Sequence, residues 1–453
     1  MAERRSHVLF VMCDQMQGQR LGAVDPVAYT PHLDRLTAEG VRFSHCHASN
    51  GQCVPSRASI QTGLYPHEAA VMIIYGFHGH TAHLNGRERT VGHVFRDHGY
   101  TTAYFGKTHF GTSLANLGYA IGADFPAATP MSGVDRAITD TTLGFLADYD
   151  RATPLFLTVS FQEPHPHFEL VEEFADHYPP DRMALPASYY EDDLRSKPPF
   201  QRARVADREH GDATTEGALR HELRQYYTMI SHMDRCFGAV RAAFEAKGMW
   251  DDTVVVFTSD HGDMMGAHRM RLKGTLPYDE IFRVPLIVRV PGETFPRTVV
   301  DDLAVNVSLP GTLVEAAGMA LPPDFKGGSL LPAMRRTQPP NDEAIFFEHY
   351  GAYWGLHPFR AIRTRRWKYI KYYGPDQTDE LYDMEADPHE LRNRAADPDC
   401  AAPRAALERR VDAWWEETGG KEFDYYETEA FKSSGAADLV LNVREHTALT
   451  RRE

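Results

Sequence analysis

The sequence predicts an α/β fold with a mostly parallel central sheet flanked by helices, followed by a smaller α+β region built on an antiparallel sheet. Three observations predict it. Short apolar, β-branched runs alternate with longer helical patterns over most of the chain. Polar, metal-competent residues come directly after four of those runs. Beyond about Gly327 the alternation gives way to closely spaced strand patterns, turns and one closing helix.

Residues 7–13 (HVLFVMC) read as a buried strand. PHLDRLTAEG comes next as a helix, with Pro31 at its first position, where an N–H is dispensable, and Gly40 at its end. TVGHVFRDHG is a second helix, ended by Gly99, and YTTAYFG is the strand after it. PLFLTVSF (154–161) and DTVVVFTS (252–259) are two more buried strands, the second preceded by a helical pattern from Glu216 to Lys247. VPLIVRV (284–290) is a further strand. Residues 178–213, rich in Pro, Asp and Arg and without a clear period, predict a surface insertion. AIFFEHY, FRAIRTRRWKYIKYY and DELYDM predict antiparallel strands, and CAAPRAALERRVDAWWEETGG the closing helix. The RRTQPPND stretch is the expected linker between a main domain, 1–335, and a C-terminal subdomain, 341–453. The aperiodic tail is expected to pack as an arm on the main domain or on a neighbouring subunit, which leaves room for a homo-oligomer.

Composition narrows the function. Of 453 residues, 42% are apolar and 25% charged, with a formal net charge of -15. That balance excludes broad nucleic-acid binding, because phosphate backbones need basic surface, while a locally basic pocket for a small anion stays compatible with it. No run reaches the roughly eighteen apolar residues of a membrane span. The basic start MAERRSHVLFVMCDQ lacks a small-residue cleavage site and has a short apolar stretch, so it reads as the first strand of a cytoplasmic protein. Cys13, Cys46, Cys53, Cys236 and Cys400 are sparse and scattered, which suggests neither a disulfide framework nor a zinc cluster and fits a reducing compartment.

The residues just past the strand ends carry the chemistry. The first strand runs into Asp14 and Gln15, the next into Lys107 and His109, the next into QEPHPH with His165 and His167, and the last into DHGD with Asp260 and His261. Ligands of open α/β sheets bind outside the carboxyl ends of the strands, so these groups are expected to converge. Asp14, Gln15, Asp260 and His261 suit Ca²⁺, Mg²⁺ or Mn²⁺ better than a thiol-rich zinc site. Singly, an Asp after a strand reads as readily as a cap or turn former. Cys53 stands just before an expected helix start, with Pro55 in the first turn and Arg57 beyond it. Both the helix dipole and the arginine favour negative charge at position 53. The loop YGFHGHTAHLNG makes His78, His80 and His83 candidate substrate contacts, together with His167.

CVPSRASIQTG resembles the signature of the sulfatase family, in the alkaline-phosphatase-like superfamily, through Cys53, Pro55, Ser56, Arg57, Thr62 and Gly63. The resemblance continues through DQ (Asp14, Gln15), GLYPHE, GKTH, PHPHF, TSDHGDMMGAH, KGTLPYDEIFRVPLIVRVPG and the C-terminal RAIRTRRWKYIKYY and DELYDMEADPHELRN. Two positions depart from it: many members carry Asp where this chain has Gln15, and Asn where it has His261.

The resemblance implies that a maturation enzyme oxidises Cys53 to formylglycine (3-oxoalanine), whose hydrate attacks sulfur and forms a covalent sulfate ester. Asp14, Gln15, Asp260, His261 and residue 53 would hold a divalent metal, Ca²⁺ by the usual pattern and Mn²⁺ or Mg²⁺ as alternatives. Lys107 and Lys273 would offset the ester's charge, His165 would protonate the leaving group, His109 would take a proton from the hydrate to expel sulfate, and Arg57 would orient the hydrate. A small-molecule sulfate ester is the implied substrate. A phosphonate monoester or phosphodiester hydrolase with the same nucleophile is the first alternative, disfavoured because Lys107 and His109 are both present. A non-catalytic binding protein and a thiol hydrolase are the others.

Overall fold

The apolar runs become strands buried on both faces, which is why they read as unbroken hydrophobic stretches. In the computed structural model, residues 5–74, 83–84, 86, 88–206, 215–274, 276–295, 297–337, 343–351, 357–373 and 378–420 are described. The first half contains β1 (His7–Cys13), α1 (Pro31–Glu39), β2 (Val41–His47), α2 (Cys53–Thr62), α3 (Val91–Asp97), β3 (Thr101–Gly106), β4 (Ile121–Asp124), α4 (Met131–Asp148) and β5 (Leu155–Ser160). After it come α5 (Ala187–Glu191), α6 (Pro199–Ala206), α7 (Glu216–Ala246), β6 (Thr253–Ser259), α8 (Asp279–Phe282), β7 (Arg283–Arg289), β8 (Val299–Val305), α9 (Leu309–Ala316) and α10 (Leu331–Arg335). The C-terminal part adds β9 (Ile345–His349), β10 (Phe359–Arg363), β11 (Trp367–Tyr372), β12 (Glu380–Asp383) and α11 (Ala401–Glu417).

Eight strands form one sheet in the order β4-β3-β5-β1-β6-β7-β2-β8. It is parallel throughout except at β7, which runs antiparallel to both β6 and β2. Alternate residues of β1 serve opposite cores: Val8, Phe10 and Met12 face the side of α2, α3 and α9, while Leu9 and Val11 face that of α1, α4 and α7. A four-stranded antiparallel sheet, β12-β11-β10-β9, completes the chain's C-terminal part as the sequence predicts. Its Phe347, Phe359 and Ile370 belong to the same apolar cluster as Phe10 and Met12.

Residues 178–206 expose many of their side chains, as expected of a surface insertion, but they are not without structure. They form the short helices α5 and α6 and bury Asp192, Lys197 and Gln201. Helices of five and eight residues are too short to show a period. Between them, Asp192 and Lys197 are buried because they are paired: Lys197 Nζ lies 2.8 Å from Asp192 and 2.9 Å from the Tyr278 hydroxyl. The tail from 421, expected as an arm, lies outside the described residues. No helix among the described residues is long and apolar enough to cross a membrane.

Candidate active site

Four adjacent parallel strands, β3, β5, β1 and β6, end level with one another. Gly106 pairs with Ser160, Ser160 with Met12, and Cys13 with Ser259. The next residues, Lys107, Asp14 and Asp260, therefore leave the sheet side by side, and the turn after β5 brings in His165. Two glycines permit this crowding. Gly106 has φ +124°, and a Cβ there would lie 1.9 Å from the Ser160 carbonyl oxygen; one at Gly262 would lie 2.1 Å from that of Glu280. From across the sheet end comes α2, which begins at Cys53 itself, with Gln52 as its N-cap, one step earlier than the sequence suggests.

Sγ of Cys53 is the meeting point. Lys273 Nζ lies 2.9 Å from it, His261 Nε2 3.1 Å, Lys107 Nζ 3.9 Å and Asp14 Oδ1 3.9 Å. Arg57, fully buried, sits beneath. Its Nε donates to Asp260 at 2.7 Å, Nη2 to Asp14 at 3.0 Å, and Nη1 to the Lys107 carbonyl and the Ser160 hydroxyl, both at 2.9 Å. None of its hydrogen bonds goes to Sγ, so Arg57 acts on residue 53 through the two carboxylates rather than by direct contact. Lys107 Nζ also pairs with Asp14 at 2.6 Å.

The electrostatics favour an anion at position 53. Burial pushes the Cys53 thiol up, but Lys107, Lys273, His261 and a hydrogen bond from His109 outweigh it and hold the thiol well below its usual range. Asp14 is likewise held low: burial and Cys53 push it up, and Lys107, His165 and Lys273 prevail. Asp260 goes the other way, raised by burial and by the neighbouring Asp14 charge. His165 is pushed down to about 4 by burial, then by Lys273 and Lys107.

Asp14, Cys53, Asp260 and His261 each offer a donor atom, all within 4.8 Å of one another and all buried. Two buried like-charged carboxylates with an imidazole nitrogen are a donor set that suits a divalent cation, and the raised Asp260 marks negative charge left over beside Arg57. Gln15 stands next to them in the left-handed region, φ +72°. Its N–H donates to Asp260 Oδ1 at 3.1 Å, and its carbonyl accepts from the Tyr226 hydroxyl at 2.7 Å. The side-chain Oε1 accepts from Lys273 at 2.8 Å, and the amide group donates to Asp263.

The predicted site residues do not all converge. His109 and His165 are half-buried at the rim of the cluster, whereas His83 and His167 are exposed. His78 and His80 lie outside the described residues. Sequence reasoning missed two supports, Asp263 and Asn306, and named Ser56 only as part of the signature. Asp263 holds Gln15, Ser56 donates to the Asp260 carbonyl, and Asn306 donates to Ser56 at 2.8 Å. The DHGD repeat of Asp was a signal for the first; nothing in the sequence marked Asn306.

Residues 6–319 match the family described as Sulfatase, and residues 266–417 the one described as N-sulphoglucosamine sulphohydrolase, C-terminal. An ulvan-active sulfatase of Formosa agariphila is 27% identical, over 93% of this chain and 84% of its own length. Choline-sulfatase of Rhizobium meliloti is 29% identical, over 90% of this chain and 86% of its own. Among solved structures, the phosphonate monoester hydrolase of Agrobacterium radiobacter superposes with a TM-score of 0.77 at 24% identity, over 91% of this chain and 96% of that one. This last likeness is one of fold.

Proposed function

Because the chain belongs to the sulfatase family and is on that ground a sulfuric ester hydrolase, we propose that it cleaves a small-molecule sulfate ester with a formylglycine made from Cys53. The observation that carries this is the convergence of Lys273, His261 and Lys107 on Sγ of Cys53, the place an oxygen of the hydrated aldehyde would take. The hydrate would supply the attacking oxygen and, in its second hydroxyl, the means to release sulfate. Asp14, Gln15, Asp260 and His261 would hold a divalent cation, Ca²⁺ or Mn²⁺, which when bound supplies Lewis-acid polarisation.

The chain's own groups do the rest. Lys107 and Lys273, flanking residue 53, bind the sulfate oxygens and offset their charge. His165 is neutral in the free protein at pH 7, since burial and the two lysines depress it. An arriving sulfate ester would offset the charge of those lysines and so raise the imidazole, which favours its protonated form. His109, in the turn after β3 and close enough to residue 53 to bear on its charge, would accept the proton that the hydrate gives up. Arg57 keeps Asp14 and Asp260 fixed. In this reading residues 1–335 form the catalytic domain and 341–453 its subdomain. Five unpaired, buried cysteines support a reducing compartment, the cytoplasm.

The test is peptide mass spectrometry across 51–57 on protein co-expressed with a formylglycine-generating enzyme, paired with sulfate release from a panel of aryl, alkyl and sugar sulfates. The expected result is an aldehyde at position 53, turnover, and loss of turnover in a folded Cys53→Ala variant. An unmodified thiol beside a matured control sulfatase, or near-normal turnover by Cys53→Ala, would sink the proposal. Phosphonate monoesters turned over in preference to every sulfate would move the chain to the alternative reading.

A further inference from the structure

We propose that Asp263 is a positioning residue that fixes which end of the Gln15 carboxamide faces the cation site. The inference rests on the reading above, in which Gln15 is a ligand. An amide has an acceptor end and a donor end of nearly the same shape, and only the acceptor end can ligate a cation. Where a carboxylate would present an oxygen either way, Gln15 needs something to choose.

Asp263 makes the choice. Its side chain is fully buried, and Oδ1 accepts two backbone N–H groups of its own loop, Met265 at 2.8 Å and Leu272 at 3.1 Å. Those amides cannot turn, so Oδ1 is committed and Oδ2 is left facing Gln15 as an acceptor. It takes the Gln15 Nε2 donor, which turns Oε1 toward Lys273 Nζ, 2.8 Å away, the same ammonium that reaches Cys53 Sγ at 2.9 Å, while the Gln15 backbone N–H binds Asp260. A second side chain of the same turn is tied too: Gln17, two residues on, donates to the Asp263 carbonyl. One carboxylate thus closes the loop that ends at Lys273 and sets the polarity of Gln15.

Asp263→Asn, isosteric and well able to keep both backbone bonds through its oxygen, turns a donor toward Gln15. The carboxamide must then flip, presenting N–H groups to Lys273 and to the cation. Supports of this kind typically alter metal affinity by about 10–100-fold, and the loss expected here lies in that range. Gln15→Glu in the Asp263→Asn background has an oxygen at each end and conserves the net charge, so it restores binding. In a Gln15→Ala background, Asp263→Asn has no carboxamide to flip and costs no further affinity.

The experiment is calorimetric titration of the full chain, stripped with chelator, with Ca²⁺ and with Mn²⁺ alone, on the wild type and these variants, with circular dichroism for folding. If the wild type binds neither ion, the ligand reading itself has failed. If the wild type binds and Asp263→Asn binds equally well, the positioning role is overturned. Equal weakening by Asp263→Asn with and without Gln15 would assign the effect to charge or to the loop, and would overturn it as well. Should Asp263→Asn not fold, the pair with Gln15→Glu decides: a folded, cation-binding pair supports the proposal, and an unfolded pair overturns it.

Discussion

Arg57 turns a sequence signature into a physical requirement. Its side chain, 0% exposed, is shared between two carboxylates that are also 0% exposed. Removing one partner of such a buried group leaves charge without compensation and costs about 3–5 kcal/mol. Arg57→Ala is therefore expected to lower the unfolding free energy by that amount in urea titrations at pH 7. Arg57→Lys, which keeps the charge but not the fork reaching both carboxylates, should fall between. A loss below about 1 kcal/mol for the alanine variant would mean the carboxylates are neutralised some other way. The residue was legible in the sequence only as part of a motif; its four hydrogen-bond partners come from four different strand ends or turns, and no spacing along the chain encodes them.

At the scale of elements, the loop after β6 is held from outside as well as from within. His268 is fully buried, donates or accepts at Nδ1 with Asp192 2.6 Å away, and stacks on Tyr278 at 3.9 Å. Burial, then Lys197, pushes its pKa down to about 3. A folded pKa below the unfolded value near 6.5 means that the unfolded chain binds the extra proton. The contribution of His268 to stability is thus complete above about pH 6.5 and lost progressively as pH falls toward 3, at about 1.4 kcal/mol per unit. His268→Gln should accordingly be the less acid-sensitive protein, its stability gap to wild type shrinking by about 2 kcal/mol between pH 7 and pH 5 in urea unfolding. A constant gap would place the proton elsewhere. The same scale explains what the sequence concealed. β1, β3, β5 and β6 were readable because both their faces are buried and apolar, and four of the site's segments were readable from their position just past a strand. β2 (VRFSHCH) mixes polar residues into a buried strand, and β4 (IGAD) is a short exposed edge. Neither gives a clean period. The 263–273 loop, which carries Lys273, has no regular period to read.

Taken whole, the described residues hold two sheets that share buried contacts. Lys368 on β11 pairs with Asp279 at 2.9 Å and Glu390 at 2.8 Å, and Gln201 of α6 donates to Glu380 of β12 at 2.8 Å. With Phe347, Phe359 and Ile370 sharing the apolar cluster of β1, the smaller sheet completes the core of the larger. Scanning calorimetry of the full chain is expected to give a single transition, and a chain ending at residue 337 is expected not to unfold cooperatively, since Asp279 loses Lys368 and Lys197 loses the Glu390 carbonyl to which it donates. Two well-separated transitions would refute this coupling.

All ten residues from Cys53 to Thr62 are buried in the finished structure. With its backbone enclosed in this way, the helix offers no second protein a strand to grip and read. Any enzyme that remodels Cys53 must therefore act while the segment is still an extended nascent peptide. On the function proposed above, activity becomes a record of timing: a chain that folds before it is met keeps its thiol for as long as it stays folded.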